Sequence, residues 1–101
     1  MSIVVTLTLK AAEGRYEDLA KTMQAILPDT AARPGAELIR AAGDPASGTI
    51  IVYEEWDCLE SQQAYMAWRT ERGDLNGIGP MLGAPPNFEQ KTLLFLSLIH
   101  I

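Results

Sequence analysis

Three neighbouring side chains, Tyr65, Trp68 and Arg69, are the strongest candidates for a functional site in this sequence. The pattern around them predicts a helix, on which residues 65 and 69 share a face and residue 68 lies beside them. An indole ring can stack on a flat ligand, and a guanidinium can stabilise an anion, so the three predict one patch for an aromatic molecule. The alternative is structural: Trp68 packs in the core, and Arg69 stabilises the helix C-terminus, where cations are favoured.

Two adjacent carboxylates, Glu54 and Glu55, are candidate general bases. They follow one another on a predicted strand, so their side chains point to opposite faces of the sheet and cannot act as a pair on one substrate. One of them is expected to meet solvent or an ion-pair partner such as Arg40 on the neighbouring strand.

The histidine and cysteine content argues against a catalytic histidine, a reactive thiol and a metal site. His100 is the only histidine, and it lies where chain ends are expected to fray, so a catalytic role is not assigned to it. Cys58 has no positively charged neighbour that would activate its thiol, which predicts an inert cysteine. The sequence shows neither a metal-ligand cluster nor a glycine-rich phosphate loop, so the residues predict neither a metal site nor a phosphate-loop site.

Length and charge limit the class of protein. At 101 residues the chain has room for a single domain, residues 1–101. A formal net charge of −5 without a basic stripe argues against nucleic acid and against an anionic membrane surface as partners. The single cysteine allows no internal disulfide, and the N-terminus alternates instead of running apolar as a signal peptide does, so a cytoplasmic location is expected.

Hydrophobic periodicity predicts four strands and two long helices. The first helix starts at Arg15 and is expected to end or kink at Pro28; Asp57 to Glu60 match a capping box that opens the second, which runs to about Arg69 or Thr70. A short helix is expected within residues 74–87. The strands are predicted at 3–10, 36–42, 49–56 and 88–101, with 49–56 in a central position. This order gives an α+β, ferredoxin-like βαββαβ fold with an antiparallel four-stranded sheet.

The last strand predicts an oligomer. Leu94, Leu96 and Leu98 point to one face of it, while Leu93, Phe95, Ile99 and Ile101 point to the other. Two helices can cover only one face of such a sheet. The other face needs a partner, and a second copy of the chain is the simplest one, so a homodimer is expected.

Four stretches resemble the antibiotic biosynthesis monooxygenase family of dimeric α+β barrels. They are the first strand running into Glu13-Gly14-Arg15, then residues 32–36, 53–57 and 65–73. Residues 26–30 and 79–86 resemble a bacterial subgroup of quinol monooxygenases. The similarity covers about residues 3–95, and its strength comes from the order and spacing of the stretches.

The resemblance implies a homodimer whose two sheets meet back to back, with an apolar pocket between each sheet and its helices. It also implies oxidation of a quinol or polyphenolic aromatic by molecular oxygen, without a cofactor. The expected catalytic residues are Trp68, Arg69 and Tyr65, with Arg69 stabilising a phenolate or peroxide anion. Substrate-binding residues are expected at Trp56, Tyr53 and Met66. Trp56 would wall the pocket or pack under the second helix, and Tyr53 would bond a quinol or lie at a dimer edge.

Two other functions are compatible with the same residues. A non-catalytic module of this fold binds a small aromatic ligand without changing it, and a ring isomerase or cyclase changes the ligand without adding oxygen. Haem degradation fits less well, because the relatives that carry it out use an Asn, Trp and His set and the second helix here has no histidine.

Overall fold

A computed structural model describes residues 1–95, which form an antiparallel four-stranded sheet with two long helices packed on one of its faces. Along the chain the elements are β1 (Ile3–Lys10), α1 (Tyr16–Ala31), β2 (Ala36–Asp44), β3 (Thr49–Trp56), α2 (Leu59–Arg72), two 3₁₀ turns (Asp74–Gly77 and Gly79–Met81) and β4 (Asn87–Thr92). The strands lie side by side in the order β2-β3-β1-β4. The predicted α+β, ferredoxin-like βαββαβ arrangement is confirmed.

Alternation along β1 and β3 decides which side chains enter the core. Val5 and Leu9 of β1 are buried together with Ile50 and Val52 of β3, and in the register Leu9 lies opposite Ile50. Residues one position away point to the other face of the sheet. Leu19, near the start of α1, packs with Leu9, Ile50 and Val52 from the helix side. The prediction that β3 is an internal strand is confirmed.

Helix α1 does not end at Pro28, which corrects the sequence-based expectation. It continues to Ala31, and the N–H of Ala32 still donates to the carbonyl of Pro28 at 3.2 Å. Proline removes one helical hydrogen bond, but Thr30 in the last turn is fully buried and its hydroxyl bonds side chains of α2. These tertiary bonds hold the turn that local propensity disfavours.

The start of α2 also differs from the expected capping box. The N-cap residue is Cys58, whose side chain makes no capping bond. Ser61 and Cys58, which lie beside the Asp57 carboxylate, lower its pKa below the ordinary aspartate value. The helix continues to Arg72, beyond the predicted end, and stops at Gly73 in the left-handed conformation with φ 76°.

The last strand is shorter than predicted within the described residues. Pairing with β1 ends where Ile3 meets Thr92, because β1 offers no earlier strand residue to pair with. Leu93 adds one hydrogen bond to Ser2, whereas Leu94 and Phe95 are exposed. The rest of the prediction, residues 96–101 with His100, lies outside the described residues. Within residues 1–95 no helix is long and apolar enough to cross a bilayer.

Gly35 joins α1 to β2 in a crowded position, and this generates a prediction. Its φ is 86°, and a Cβ there would overlap the side chain of Ser61 and lie 2.6 Å from Asp57 Oδ1. Gly14 has a similar φ of 75° with nothing within 4 Å of the same added atom. Gly35→Ala should lower the free energy of unfolding by about 1–3 kcal/mol more than Gly14→Ala, because only the first adds overpacking to backbone strain. Urea denaturation checks this, and equal losses would contradict the crowding.

Candidate functional site

The candidate site is an apolar cavity of about 220 Å³ between the sheet and the helices. It is lined by residues from both helices, from β1, β3 and β4, and from the 3₁₀ turns. The lining consists of Leu7, Leu9, Met23, Ile26, Leu27, Val52, Glu54, Tyr65, Met66, Leu75, Ile78, Gly79, Leu82, Pro86 and Phe88. Ligand sites are typically clefts with mostly hydrophobic walls and few polar groups, and this cavity has that character.

Secondary-structure periodicity places the walls. Leu7 and Leu9 alternate inward from β1, and Val52 and Glu54 do so from β3. On α1, Met23, Ile26 and Leu27 follow the three- and four-residue spacing of one helix face. The side closer to solvent is formed by the 3₁₀ turns and β4, where Leu75 and Phe88 are 38% and 49% exposed.

Glu54 is the only charged side chain in this lining. It is 5% exposed, and its Oε1 accepts a hydrogen bond of 2.9 Å from the indole Nε1 of Trp56. Burial raises the pKa of Glu54 above the ordinary glutamate value, although the Trp56 bond and the charge of Arg69 both oppose this. The cavity therefore holds a carboxyl group whose proton is bound more tightly than in water.

Arg69 lies behind the cavity wall and is 1% exposed. Its Nε donates to the Tyr65 hydroxyl at 3.1 Å, its Nη1 to Asp74 at 2.8 Å, and its Nη2 to the Ile26 carbonyl at 2.6 Å and to Thr30 Oγ1 at 2.9 Å. Burial disfavours the charge of Arg69, but the hydrogen bonds that it donates to Tyr65 and Asp74 outweigh this effect and raise the pKa of the guanidinium. Arg69 thus stays charged while it joins α1, α2 and the first 3₁₀ turn.

The Tyr65 hydroxyl closes a triangle with Arg69 and Thr30, since it also lies 2.8 Å from Thr30 Oγ1. Its ring lies between two indoles, with centroids 5.1 Å from Trp56 and 6.3 Å from Trp68. Trp68 itself is half-buried, with guanidinium groups over its ring: Arg33 at 4.4 Å, Arg72 at 4.7 Å and Arg69 at 4.8 Å. Arginines are expected on such faces, since the ring quadrupole attracts cations.

The structure brings together only part of the predicted site. Tyr65 and Met66 line the cavity, as the predicted apolar pocket requires. The resemblance led us to expect all four side chains in the pocket wall. Trp56, Trp68 and Arg69 are not part of this lining and lie beside Tyr65. Arg69 belongs to a buried network, whereas the structural alternative had placed it as a cap at the helix C-terminus.

Tyr53 lies on the opposite face of the sheet, away from the cavity. Its hydroxyl donates to Glu55 Oε2 at 2.9 Å, and this bond raises the pKa of Tyr53 above the ordinary tyrosine value. Glu55 is therefore paired with Tyr53, and within residues 1–95 Arg40 forms no ion pair with it, contrary to expectation. The prediction that Glu54 and Glu55 point to opposite faces is confirmed.

Sequence reasoning named Glu54 as a candidate general base but did not assign it to the pocket. The signal was present in β3, because Glu54 has the same parity as the buried Ile50 and Val52. A charged residue in phase with core residues predicts a carboxyl on the covered face. The pattern could not predict the cavity, because its existence depends on how far α2 and the 3₁₀ turns lie from the sheet.

The fold is shared with solved structures from several bacteria. A protein of unknown function from Nitrosomonas europaea is 23% identical, with a TM-score of 0.83 over 98% of this chain and 95% of that one. A protein from Mycobacterium tuberculosis is 12% identical, with a TM-score of 0.85 over 97% and 100% of the two chains. A putative antibiotic biosynthesis monooxygenase from Deinococcus radiodurans is 16% identical, with a TM-score of 0.82 over 97% and 98%.

At these identities the likeness shows the fold, and it confirms the fold that the sequence resemblance implied. No protein-family model and no curated protein matches the sequence. The solved structures that share the fold include proteins described as putative antibiotic biosynthesis monooxygenases, such as the Deinococcus protein.

The Thr30 hydroxyl generates a stability prediction. It bonds both Tyr65 and Arg69 while fully buried, so Thr30→Val keeps the shape but leaves two polar groups short of a partner. The free energy of unfolding should fall by about 1–3 kcal/mol. The control is Thr70→Val, since the Thr70 hydroxyl bonds only the Met66 carbonyl on an exposed helix face, and its cost should stay within about 0.5 kcal/mol. Equal costs in urea denaturation would contradict the network.

Proposed function

We propose that this chain is an antibiotic biosynthesis monooxygenase-like enzyme that oxygenates a small quinol or polyphenol in the cavity, with molecular oxygen as co-substrate and without a cofactor. The observation that carries the proposal is the lone carboxyl of Glu54 in an otherwise apolar cavity. An apolar wall suits an aromatic ring, and one polar group can select a hydroxyl on it. The resemblance in sequence and the shared fold support the reaction class.

The chemistry needs no electron carrier beyond the substrate. A hydroquinone that reacts with O₂ takes up one oxygen atom, loses two hydrogen atoms to the water formed from the other, and leaves as a hydroxyquinone. The ring therefore supplies all the electrons that O₂ receives. The protein's part is to bind the planar ring, assist loss of the phenolic proton and stabilise the anion that results.

The cavity size restricts the substrate. An engineered cavity of about 150 Å³ lined by apolar residues binds benzene. The cavity here is about 220 Å³, which favours one substituted ring or two fused rings over larger polycyclic phenols. The half-exposed Leu75 and Phe88 mark the side from which such a ring would enter.

The predicted site residues take different parts in this proposal. Tyr65 and Met66 contact the substrate, and Arg69 acts through the Tyr65 hydroxyl, which it holds by a hydrogen bond. Trp56 acts through Glu54. Direct roles for Trp68 and Tyr53 stay predictions from the resemblance, since both side chains lie away from the cavity. The cytoplasmic location likewise stays a prediction.

Oxygen uptake tests the function. Purified, chelator-treated protein is supplied with substituted benzo- and naphthohydroquinones, and product masses are recorded. We expect uptake above autoxidation and products that contain one oxygen atom more and two hydrogens fewer than the quinol. Leu75→Trp should lower kcat/KM by about tenfold or more, because an indole at the entrance obstructs substrate binding. A loss of about 1.4 kcal/mol in binding free energy is enough for a factor of ten.

The control for that variant is Leu94→Trp, since Leu94 is 93% exposed and remote from the cavity lining. It should behave as the wild type. Ligand binding without oxygen uptake would replace the enzyme by a non-catalytic binding module. A product of unchanged mass would instead indicate a ring isomerase or cyclase. Uptake that disappears with chelation would contradict the cofactor-free reaction.

A homodimer through the open face of the sheet is the second part of the proposal. Within residues 1–95 the two long helices lie on the other face of the sheet, and this face carries Val4, Leu38, Tyr53 and Ile51. Ile51 is 49% exposed and lies between Thr8 of β1 and Ala42 of β2. Apolar side chains grouped on an open sheet face favour a protein partner. A second copy supplies the same surface, as a two-fold interface requires.

Ile51→Asp tests the dimer. A charge buried in a dry interface has no partner, so the variant should become monomeric at concentrations where the wild type has the mass of a dimer. Light scattering coupled to size exclusion measures the mass, and circular dichroism verifies that the monomer is folded. Ala25→Asp, on an exposed face of α1, should leave the mass unchanged. A monomeric wild type would contradict the proposal.

A further inference from the structure

The two oxygens of Glu54 have different surroundings. Oε1 accepts the Trp56 indole bond, whereas Oε2 forms no hydrogen bond with any residue of 1–95. In that part of the chain, Arg33 Nε is the only fully buried side-chain nitrogen or oxygen that lacks a hydrogen-bond partner. Oε2 is therefore not fully buried, and Glu54 lines the cavity. In a mostly apolar pocket, the few polar groups are the ones that orient a ligand. An unpaired carboxylate oxygen that faces an apolar cavity therefore points to a hydrogen-bond donor on the ligand.

Within residues 1–95, the groups around Glu54 form no hydrogen bond with its Oε2. The neighbouring strands place Val5 and Ile39 opposite it, and α1 contributes apolar side chains to the cavity. From α2, Tyr65 has its hydroxyl engaged with Arg69 and Thr30, and the Arg69 charge is paired with Asp74. Burial raises the pKa of Glu54, which makes its carboxylate a stronger base than one in water.

We propose that Glu54 Oε2 is the proton acceptor for the phenolic hydroxyl of the substrate and that Trp56 is a positioning residue that holds this oxygen toward the cavity. This inference rests on the proposed function and assigns its base. The indole bond fixes Oε1, and because a carboxylate is planar, it sets the direction of Oε2 as well. The cavity then distinguishes phenols from their ethers, since only a phenol can donate to Oε2.

The proton step balances in simple terms. The phenolic O–H bond breaks, its electron pair stays on the substrate oxygen, and an O–H bond forms at Oε2. The phenolate produced is the electron-rich form that O₂ can oxidise. The same proton returns to the oxygen atom that leaves as water, so Glu54 begins and ends the cycle as a carboxylate.

A binding measurement tests the acceptor independently of turnover. The probes are 2-naphthol and its methyl ether under anaerobic conditions, titrated by quenching of tryptophan fluorescence at neutral pH. Wild type should prefer the naphthol, and Glu54→Gln should reduce the ratio of the two affinities by about fivefold, because a charged acceptor is replaced by a neutral one. Glu55→Gln is the matched control, since it removes the adjacent carboxylate on the opposite face, and it should leave the ratio unchanged.

The pH profile of oxygen uptake provides the second measurement. The base must be deprotonated, so kcat/KM of the wild type should rise with pH through a limb that lies above the ordinary glutamate pKa. Glu54→Gln should lower kcat by about 10²–10⁴-fold with little change in KM, and this limb should disappear. Trp56→Phe should lower kcat less than Glu54→Gln does. It should also shift the pH at which kcat/KM rises, because it removes the hydrogen bond to Oε1 but keeps the carboxylate. Glu55→Gln should keep both the rate and the limb.

The outcomes separate this inference from the proposed function. Loss of naphthol preference in Glu54→Gln, with a wild type that takes up no oxygen, would keep Glu54 as the phenol acceptor and overturn the monooxygenase. Full oxygen uptake with an unchanged pH limb in Glu54→Gln would keep the enzyme and overturn Glu54 as its base. A wild type that binds both probes equally well would also overturn Glu54, whatever the oxygen uptake.

Discussion

The buried guanidinium of Arg69 is the constraint on which the rest of the structure depends. A charge that is 1% exposed is costly unless its donors are satisfied, and its partners come from α1, from α2 and from the first 3₁₀ turn. Satisfying them sets how the end of α1 meets α2. It also explains why α1 continues past Pro28, since the last turn carries the Thr30 hydroxyl that the network needs.

The same network makes Glu54 distinctive. Tyr65, Thr30 and Arg69 bond one another behind the cavity wall, so their polar groups are engaged when a ligand arrives. The carboxyl of Glu54 is held on one oxygen only. An apolar cavity with a single unsatisfied acceptor can bind a hydroxylated ring and orient it.

The sheet separates two kinds of surface. Its covered face holds the core and the cavity, and its other face carries Tyr53, Glu55 and Ile51. Two adjacent glutamates therefore acquire unrelated surroundings: Glu54 meets an indole under the helices, and Glu55 meets a phenol hydroxyl on the open face. A one-residue step along β3 is enough to separate them because successive strand side chains alternate between faces.

The sequence by itself determined the order of elements and the two-sided character of the strands, because periods of 2 and 3.6 residues are local properties of strands and helices. Through the resemblance it also named Tyr65 and Met66 as site residues, and both line the cavity. Tertiary structure alone decided the rest: Pro28 stays within a helix, β4 stops where β1 runs out, Asp57 lies beside Ser61, and Arg69 is buried beside Tyr65. It also decided that Glu54, and not the indole of Trp68, reaches the cavity. Apart from the local contact of Asp57 with Ser61, these outcomes depend on contacts between residues far apart in the chain, and such contacts leave no periodic signal in the sequence.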